Sequence, residues 1–162
     1  MPEAILLRKV TSADLPIFYE HQRDPVAVQM AAFPSREREA FMAHWQKLQV
    51  DQSVILRTIL FEGQVAGTVM SFMQAGKRQV GYWIAREHWG KGIATTALKE
   101  FLGQVKTRPL YAHVAQHNAA SLRVLEKCGF QIIGEEAGPP GGSGEAVMDY
   151  VLKLEAVRPG RR

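Results

Sequence analysis

The run Val80-Gly81-Tyr82-Trp83-Ile84-Ala85-Arg86-Glu87-His88-Trp89-Gly90-Lys91-Gly92-Ile93-Ala94-Thr95 constrains this chain more than any other segment. It reads as a strand that enters a glycine-spaced corner and opens directly into a helix. Ile93, Ala94, Ala97, Leu98, Phe101, Leu102 and Val105 fall on one helical stripe, with Lys99, Glu100, Gln104 and Lys106 opposite. The first amides of such a helix have no internal partners and carry the positive end of its dipole. A diphosphate can accept from them. Glycine at 90 and 92 removes the Cβ that would hold an anion off the backbone, and Lys91 adds positive charge.

Three readings of this corner compete. A bare strand-to-helix turn needs no ligand. A dinucleotide fold needs three glycines spaced G-x-G-x-x-G and an acidic residue at the end of the next strand. Position 95 is Thr95, and the helix follows a meander rather than opening the chain. A nucleoside-triphosphate loop needs a longer turn and a Lys-Ser/Thr pair before the helix, and neither is present. On these residues alone, the bare turn and a phosphate turn of another kind both stay open.

The rest of the chain supplies the frame. Residues 5–10 read as a strand, and Thr11-Ser12 as the N-cap of a helix from about 13 to 21. Residues 24–33 read as an irregular connector. Pro34-Ser35 begin a second helix, with Phe41, Trp45 and Leu48 on one face. Strands over 54–61, 65–73 and 79–84 form an antiparallel meander, turned at Glu62-Gly63 and Ala75-Gly76-Lys77. After the helix of the glycine corner come a strand at 110–115, a helix at 118–127 ended by Gly129, and strands at 130–134 and 147–154. The stretch Gly138-Pro139-Pro140-Gly141-Gly142-Ser143-Gly144 reads as a long hairpin loop between the last two strands. The fold class expected is α/β: one mixed sheet with helices on both faces.

Composition narrows the function classes. A chain of 162 residues, 46% hydrophobic and 22% charged, has the balance of a soluble protein with a real core. We expect one domain over residues 1–157 and a basic tail over 158–162. No run approaches the roughly 20 apolar residues of a membrane span. The first eleven residues lack the pattern of an export signal, and the single cysteine, Cys128, cannot form an internal disulfide. A cytoplasmic protein without membrane or metal partners is expected. The net charge of +4 is small and dispersed, which argues against a nucleic-acid partner.

Two motifs then carry a resemblance. Trp89-Gly90-Lys91-Gly92-Ile93-Ala94 resembles the pyrophosphate signature R/Q-x-x-G-x-G/A of the GNAT acetyltransferases, with Gly92 and Ala94 on its small positions. Its first position departs, being Trp89 instead of Arg or Gln, a variant similar to the branch of ribosomal-protein N-terminal acetyltransferases. Asn118-Ala119-Ala120-Ser121-Leu122-Arg123-Val124-Leu125-Glu126-Lys127-Cys128-Gly129-Phe130 is similar to the family's N-x-x-S-x-x-x-x-E-K-x-G-F segment. The resemblance follows element order from about residue 6 to 154 and is specific over 80–134.

The resemblance implies the GNAT acyl-CoA N-acyltransferase fold, a splayed, mostly antiparallel central sheet flanked by helices, with acetyl-CoA as acyl donor. It implies that pantetheine lies in the splay as an added strand would, on backbone groups of Trp83, Ile84 and Ala85. The diphosphate is expected on the amides of Trp89, Gly90, Lys91, Gly92, Ile93, Ala94 and Thr95. Trp89 cannot supply the charge of Arg, so its indole is expected to pack over the loop or the bound molecule. Asn118 is expected both as N-cap and as a cofactor contact, and Arg123 as a solvated helix residue. The implied chemistry is direct attack of a primary amine on the thioester, with the oxyanion on a backbone amide near Ile84. Many members carry a tyrosine acid where this chain has Leu125. Ser121, one helical turn earlier, is the substitute acid expected.

No base is identified, although His113 and His117 fall near the expected cleft. Glu62 and Glu87 are expected to be solvated, and Cys128 to pack rather than react. The acceptor should meet residues 19–33 and 135–146, where Glu135 and Glu136 offer carboxylates. It is expected to be a protein N-terminus, an amino acid or a small amine, acted on by a monomer or homodimer. The alternative is an acyl-CoA-binding sensor of the same fold without turnover.

Overall fold

The structure is a computed structural model that describes residues 4–32, 35–138 and 147–156. The chain opens with β1 (Ile5–Lys9), a 3-10 turn (Ser12–Asp14) and α1 (Leu15–His21). The helix expected from residue 13 thus starts two residues late. Its first turn is tightened by Asp14, whose amide donates to the Thr11 carbonyl at 3.0 Å. Its carboxylate accepts from the Thr11 amide at 2.9 Å, from Arg8 at 2.8 Å and from the buried Thr58 hydroxyl at 2.7 Å.

The connector expected to be irregular at 24–33 contains a helix, α2 (Pro25–Ala31). Asp24 Oδ1 accepts from the amides of Val26 and Ala27, and Pro25 sits in the first turn, where its missing N–H costs nothing. This Asp-Pro start signal was legible, and the shortness of the segment hid it. The next helix, α3 (Arg38–Val50), begins after Glu37 rather than at Pro34, which lies outside the described residues.

The meander is β2 (Ile55–Phe61), β3 (Gln64–Gln74) and β4 (Lys77–Ile84). After it come α4 (Ile93–Gln104), β5 (Leu110–Ala115), α5 (Ala119–Lys127), β6 (Gln131–Ala137) and β7 (Met148–Leu154). The seven strands form one sheet in the order β1-β2-β3-β4-β5-β7-β6. Every pairing is antiparallel except β4 with β5. Most of the expected hairpin loop between β6 and β7 falls outside the described residues, as does the basic tail.

Strand alternation sends side chains to two cores. On one face Ile59, Val69, Val80, Leu110, Ala112 and Leu152 pack under the α4 stripe of Ile93, Ala97, Leu98 and Phe101. On the other, Leu56 meets Leu15 and Phe18 of α1 and Phe41 and Trp45 of α3. The Phe18 and Trp45 rings lie 5.0 Å apart. Helices therefore cover both faces, and the sheet's functional feature is left to an edge inside it.

Candidate functional site

That edge lies between β4 and β5. β4 runs with β3 from Gln74↔Lys77 to Gly67↔Ile84, and β5 runs with β7 from Leu110↔Leu154 to Ala115↔Asp149. Each strand is held along its outer side. Between them there is a single parallel pair, Gln79↔Tyr111, beyond which they part. Hydrogen-bonding groups beyond that point face a gap instead of a neighbour.

Which groups face it follows from the ladder, because successive residues turn their N–H and C=O to opposite edges. The Ala85 amide donates to the Ala66 carbonyl at 2.8 Å, and its carbonyl accepts from the His88 amide at 2.9 Å. The Trp83 carbonyl also points at β3, so closely that a Cβ on Gly67 would run into it. Of Trp83, Ile84 and Ala85, only Ile84 turns its backbone to the gap. The expectation for Trp83 and Ala85 is corrected on this point: their backbone groups serve β3. The same parity turns Tyr82 toward the gap, while Val80 faces β5 at the last pair.

The Ile84 carbonyl has a partner, because Trp89 Nε1 donates to it at 2.9 Å. The tryptophan at the position expected for Arg or Gln therefore folds back along its own corner, with 39% of its surface exposed. The Ile84 amide is left facing the gap.

The corner itself is built by two left-handed residues, Gly90 at φ 77° and Gly92 at φ 75°. Nothing lies within 4 Å of where either Cβ would stand, so the space beside both glycines is open. Gly92 is the N-cap of α4, and its carbonyl accepts from the Thr96 amide at 3.2 Å. The amides of Ile93, Ala94 and Thr95 begin the helix and have no intrahelical acceptor. The Trp89 amide is spent on the Arg86 carbonyl at 3.1 Å, which removes it from the set expected at 89–95. Lys91 reaches over the Phe61 ring at 5.4 Å.

Across the gap, Asn118 caps α5, its Oδ1 accepting from the Ser121 amide at 3.2 Å. Ser121 Oγ lies 2.6 Å from the Tyr82 hydroxyl of β4. Burial pushes the Tyr82 phenol up to about 12, against the opposing effect of the serine bond. Sequence reasoning missed Tyr82. No motif marks it, and only the parity of β4 could have turned it toward α5. Leu125 is buried in the core at 3% exposure, so its position is filled by packing. Cys128 is half-buried, with its Sγ 3.8 Å from the Thr95 carbonyl, and burial raises its thiol pKa. Arg123, Glu62 and Glu87 are exposed.

On the other side of β5, His113 Nδ1 stands 4.0 Å from Asp149 Oδ2. Burial raises the Asp149 carboxyl, Glu136 adds to the rise, and His113 and His117 oppose it. His117 Nε2 is 2.9 Å from the Gln29 carbonyl of α2, and Arg86 is 3.6 Å from Asp24 at the start of that helix. These contacts bring α2 to the C-terminal ends of β4 and β5. No group of three or more His, Cys, Asp or Glu suited to a metal occurs among the described residues. No described helix is long and apolar enough to cross a membrane.

The family model described as Acetyltransferase (GNAT) domain matches residues 4–131, from β1 through α5. The chain belongs to the GNAT acetyltransferase family. A relative from Bacillus subtilis (strain 168), provisionally named ribosomal N-acetyltransferase YdaF, is 28% identical over 57% of this chain. That match spans 55% of the relative's own length, about half of it. The uncharacterized N-acetyltransferase p20 of Bacillus licheniformis is 25% identical over 94% of this chain and 93% of its own. Among solved structures, spermidine N-acetyltransferase from Vibrio cholerae, in complex with CoA and spermine, superposes with a TM-score of 0.82. It is 18% identical, covering 94% of this chain and 96% of that one, a likeness of GNAT fold.

Proposed function

We propose that this chain transfers an acetyl group from acetyl-CoA to a primary amine by direct attack in a ternary complex. The observation that carries the reading is the parting of β4 and β5 beyond Gln79↔Tyr111, with the open glycine corner at its mouth. The residues fit the donor. The backbone of Tyr82 offers strand-like pairing to pantetheine, which leaves the Ile84 amide for the thioester carbonyl. The amides from Gly90 to Thr95 offer the diphosphate a helix N-terminus.

The acceptor arrives as an ammonium with an ordinary pKa of about 10, so it sheds a proton before its lone pair can attack. As nitrogen bonds to the carbonyl carbon, negative charge grows on the carbonyl oxygen, and the Ile84 amide stabilises it. The carbon–sulfur bond then breaks and the coenzyme A thiolate leaves toward Ser121. The acceptor lies on the α2 side. The names of the relatives point to two acceptor classes, ribosomal-protein N-termini and polyamines.

The test is incubation with acetyl-CoA and a mixed panel of spermidine, amino acids and peptides with free N-termini. Free thiol is followed, and acetylated products are identified by mass spectrometry. One acetylated acceptor class with stoichiometric thiol supports the reading. Acetyl-CoA binding that raises the melting temperature while every amine stays unmodified would replace it with the sensor reading.

A further inference from the structure

The Tyr82–Ser121 bond joins two elements that stand on opposite sides of the gap. Tyr82 belongs to β4, and Ser121 belongs to the helix that follows β5. Ser121 is fixed twice, its amide by Asn118 Oδ1 at 3.2 Å and its hydroxyl by Tyr82 at 2.6 Å. The Tyr82 hydroxyl, mostly buried, has Ser121 Oγ as its partner. Two hydroxyls in series polarise each other, and the one that accepts becomes the better donor.

Spacing adds to this. Tyr82 and Ile84 are two residues apart on one strand, about 7 Å along it. Residues two apart on a strand share an edge, so Tyr82 belongs to the same gap-facing edge of β4 as the Ile84 amide.

Resting on the acetyl-transfer reading, we infer that Tyr82 is a positioning residue: its hydroxyl donates to Ser121 Oγ and turns the serine proton toward the departing coenzyme A sulfur. The step balances without loss of a proton from either side chain. The amine lone pair forms the C–N bond, and the C–S electron pair goes to sulfur. The thiolate is held by the serine hydrogen bond until it takes a proton from water. Nitrogen sheds two protons to solvent, one from the ammonium before attack and one after the C–N bond has formed, which leaves the neutral amide. Burial keeps the Tyr82 phenol neutral, with its pKa at about 12, so it remains a donor throughout the range where the thiolate forms.

The test reads the bound sulfur directly. Coenzyme A is bound to the wild type, Tyr82→Phe, Ser121→Ala and the double variant, and thiolate ultraviolet absorbance is followed against pH. A hydrogen bond to the thiolate makes the bound thiol titrate lower in the wild type than in either single variant, by about one pH unit. The double variant should match Ser121→Ala, because Tyr82 acts only through the serine. Turnover should fall about tenfold in each variant, with the KM for acetyl-CoA within about twofold. If coenzyme A binds and the thiol titrates identically in all four proteins, the serine contact is absent and the inference is overturned, while the acetyl-transfer reading stands. If Tyr82→Phe loses coenzyme A affinity and melting temperature but keeps the wild-type thiol titration, the bond is only a clamp, which also overturns it. A wild type that fails to bind coenzyme A removes the underlying reading and the inference with it.

Discussion

Trp89 donates its indole N–H to the carbonyl of Ile84 at 2.9 Å, tying the glycine corner to the last residue of β4. This one bond links the place assigned to the diphosphate with the place assigned to the thioester. Trp89→Phe keeps the ring and removes the donor. We expect the fold to persist and acetyl-CoA affinity to fall about fivefold, the equivalent of one ordinary hydrogen bond of about 1 kcal/mol. Calorimetric titration checks it, and an unchanged affinity would mean that the corner holds its shape without the indole.

Gly92 separates backbone strain from charge. Its φ of 75° costs any other residue about 1–2 kcal/mol, although its Cβ position is open. Gly92→Ala should therefore lose stability and keep part of its acetyl-CoA affinity. Gly92→Glu adds a carboxylate to the mouth of the helix dipole and should lose at least a further tenfold. Equal affinities in the two variants would place the phosphates elsewhere.

Asp14 governs acid stability. Burial alone would raise its carboxyl, but bonds from Arg8, the Thr11 amide and the Thr58 hydroxyl outweigh burial and lower it from 3.8 to about 2. A lowered pKa gives stability that is complete above pH 3.8 and is lost as pH falls toward 2, about 2 kcal/mol in all. Asp14→Asn should cost at least that much at pH 7, and the gap should close near pH 2. Urea melts at several pH values measure it.

Asp149 should behave with the opposite sign. Its raised carboxyl favours the protonated form in the folded chain, so stability declines as pH rises through the folded value. The groups around it are His113 on β5, Glu136 on β6 and His117 before α5. Asp149→Asn should be more stable than the wild type at pH 8 and should lose that advantage below pH 4. A constant difference across that range would mean that the carboxyl titrates normally.

Much of the site was legible because local rules dictate it. Gly90 and Gly92 before an amphipathic stripe announce an open helix N-terminus, and Asn118 three residues before Ser121 announces a cap. Strands and helices appeared within a few residues of their expected ends. α2 was missed because seven residues give too short a period to read, although Asp24-Pro25 marked its start. Trp83 and Ala85 were placed with Ile84 because a run of three residues on a strand does not declare which edge each faces.

By itself, the sequence determined the order of elements, the glycine corner and the capped α5. Each depends on residues near one another in the chain, through periodicity, φ preference and local hydrogen bonds. Tertiary structure alone decided where β4 stops pairing with β5, and so which backbone groups are left free. It also joined Tyr82 to Ser121 across 39 positions of sequence and set His113 beside Asp149. Such contacts depend on strand register and on which face of the sheet a residue takes, and these are fixed only once distant segments pack.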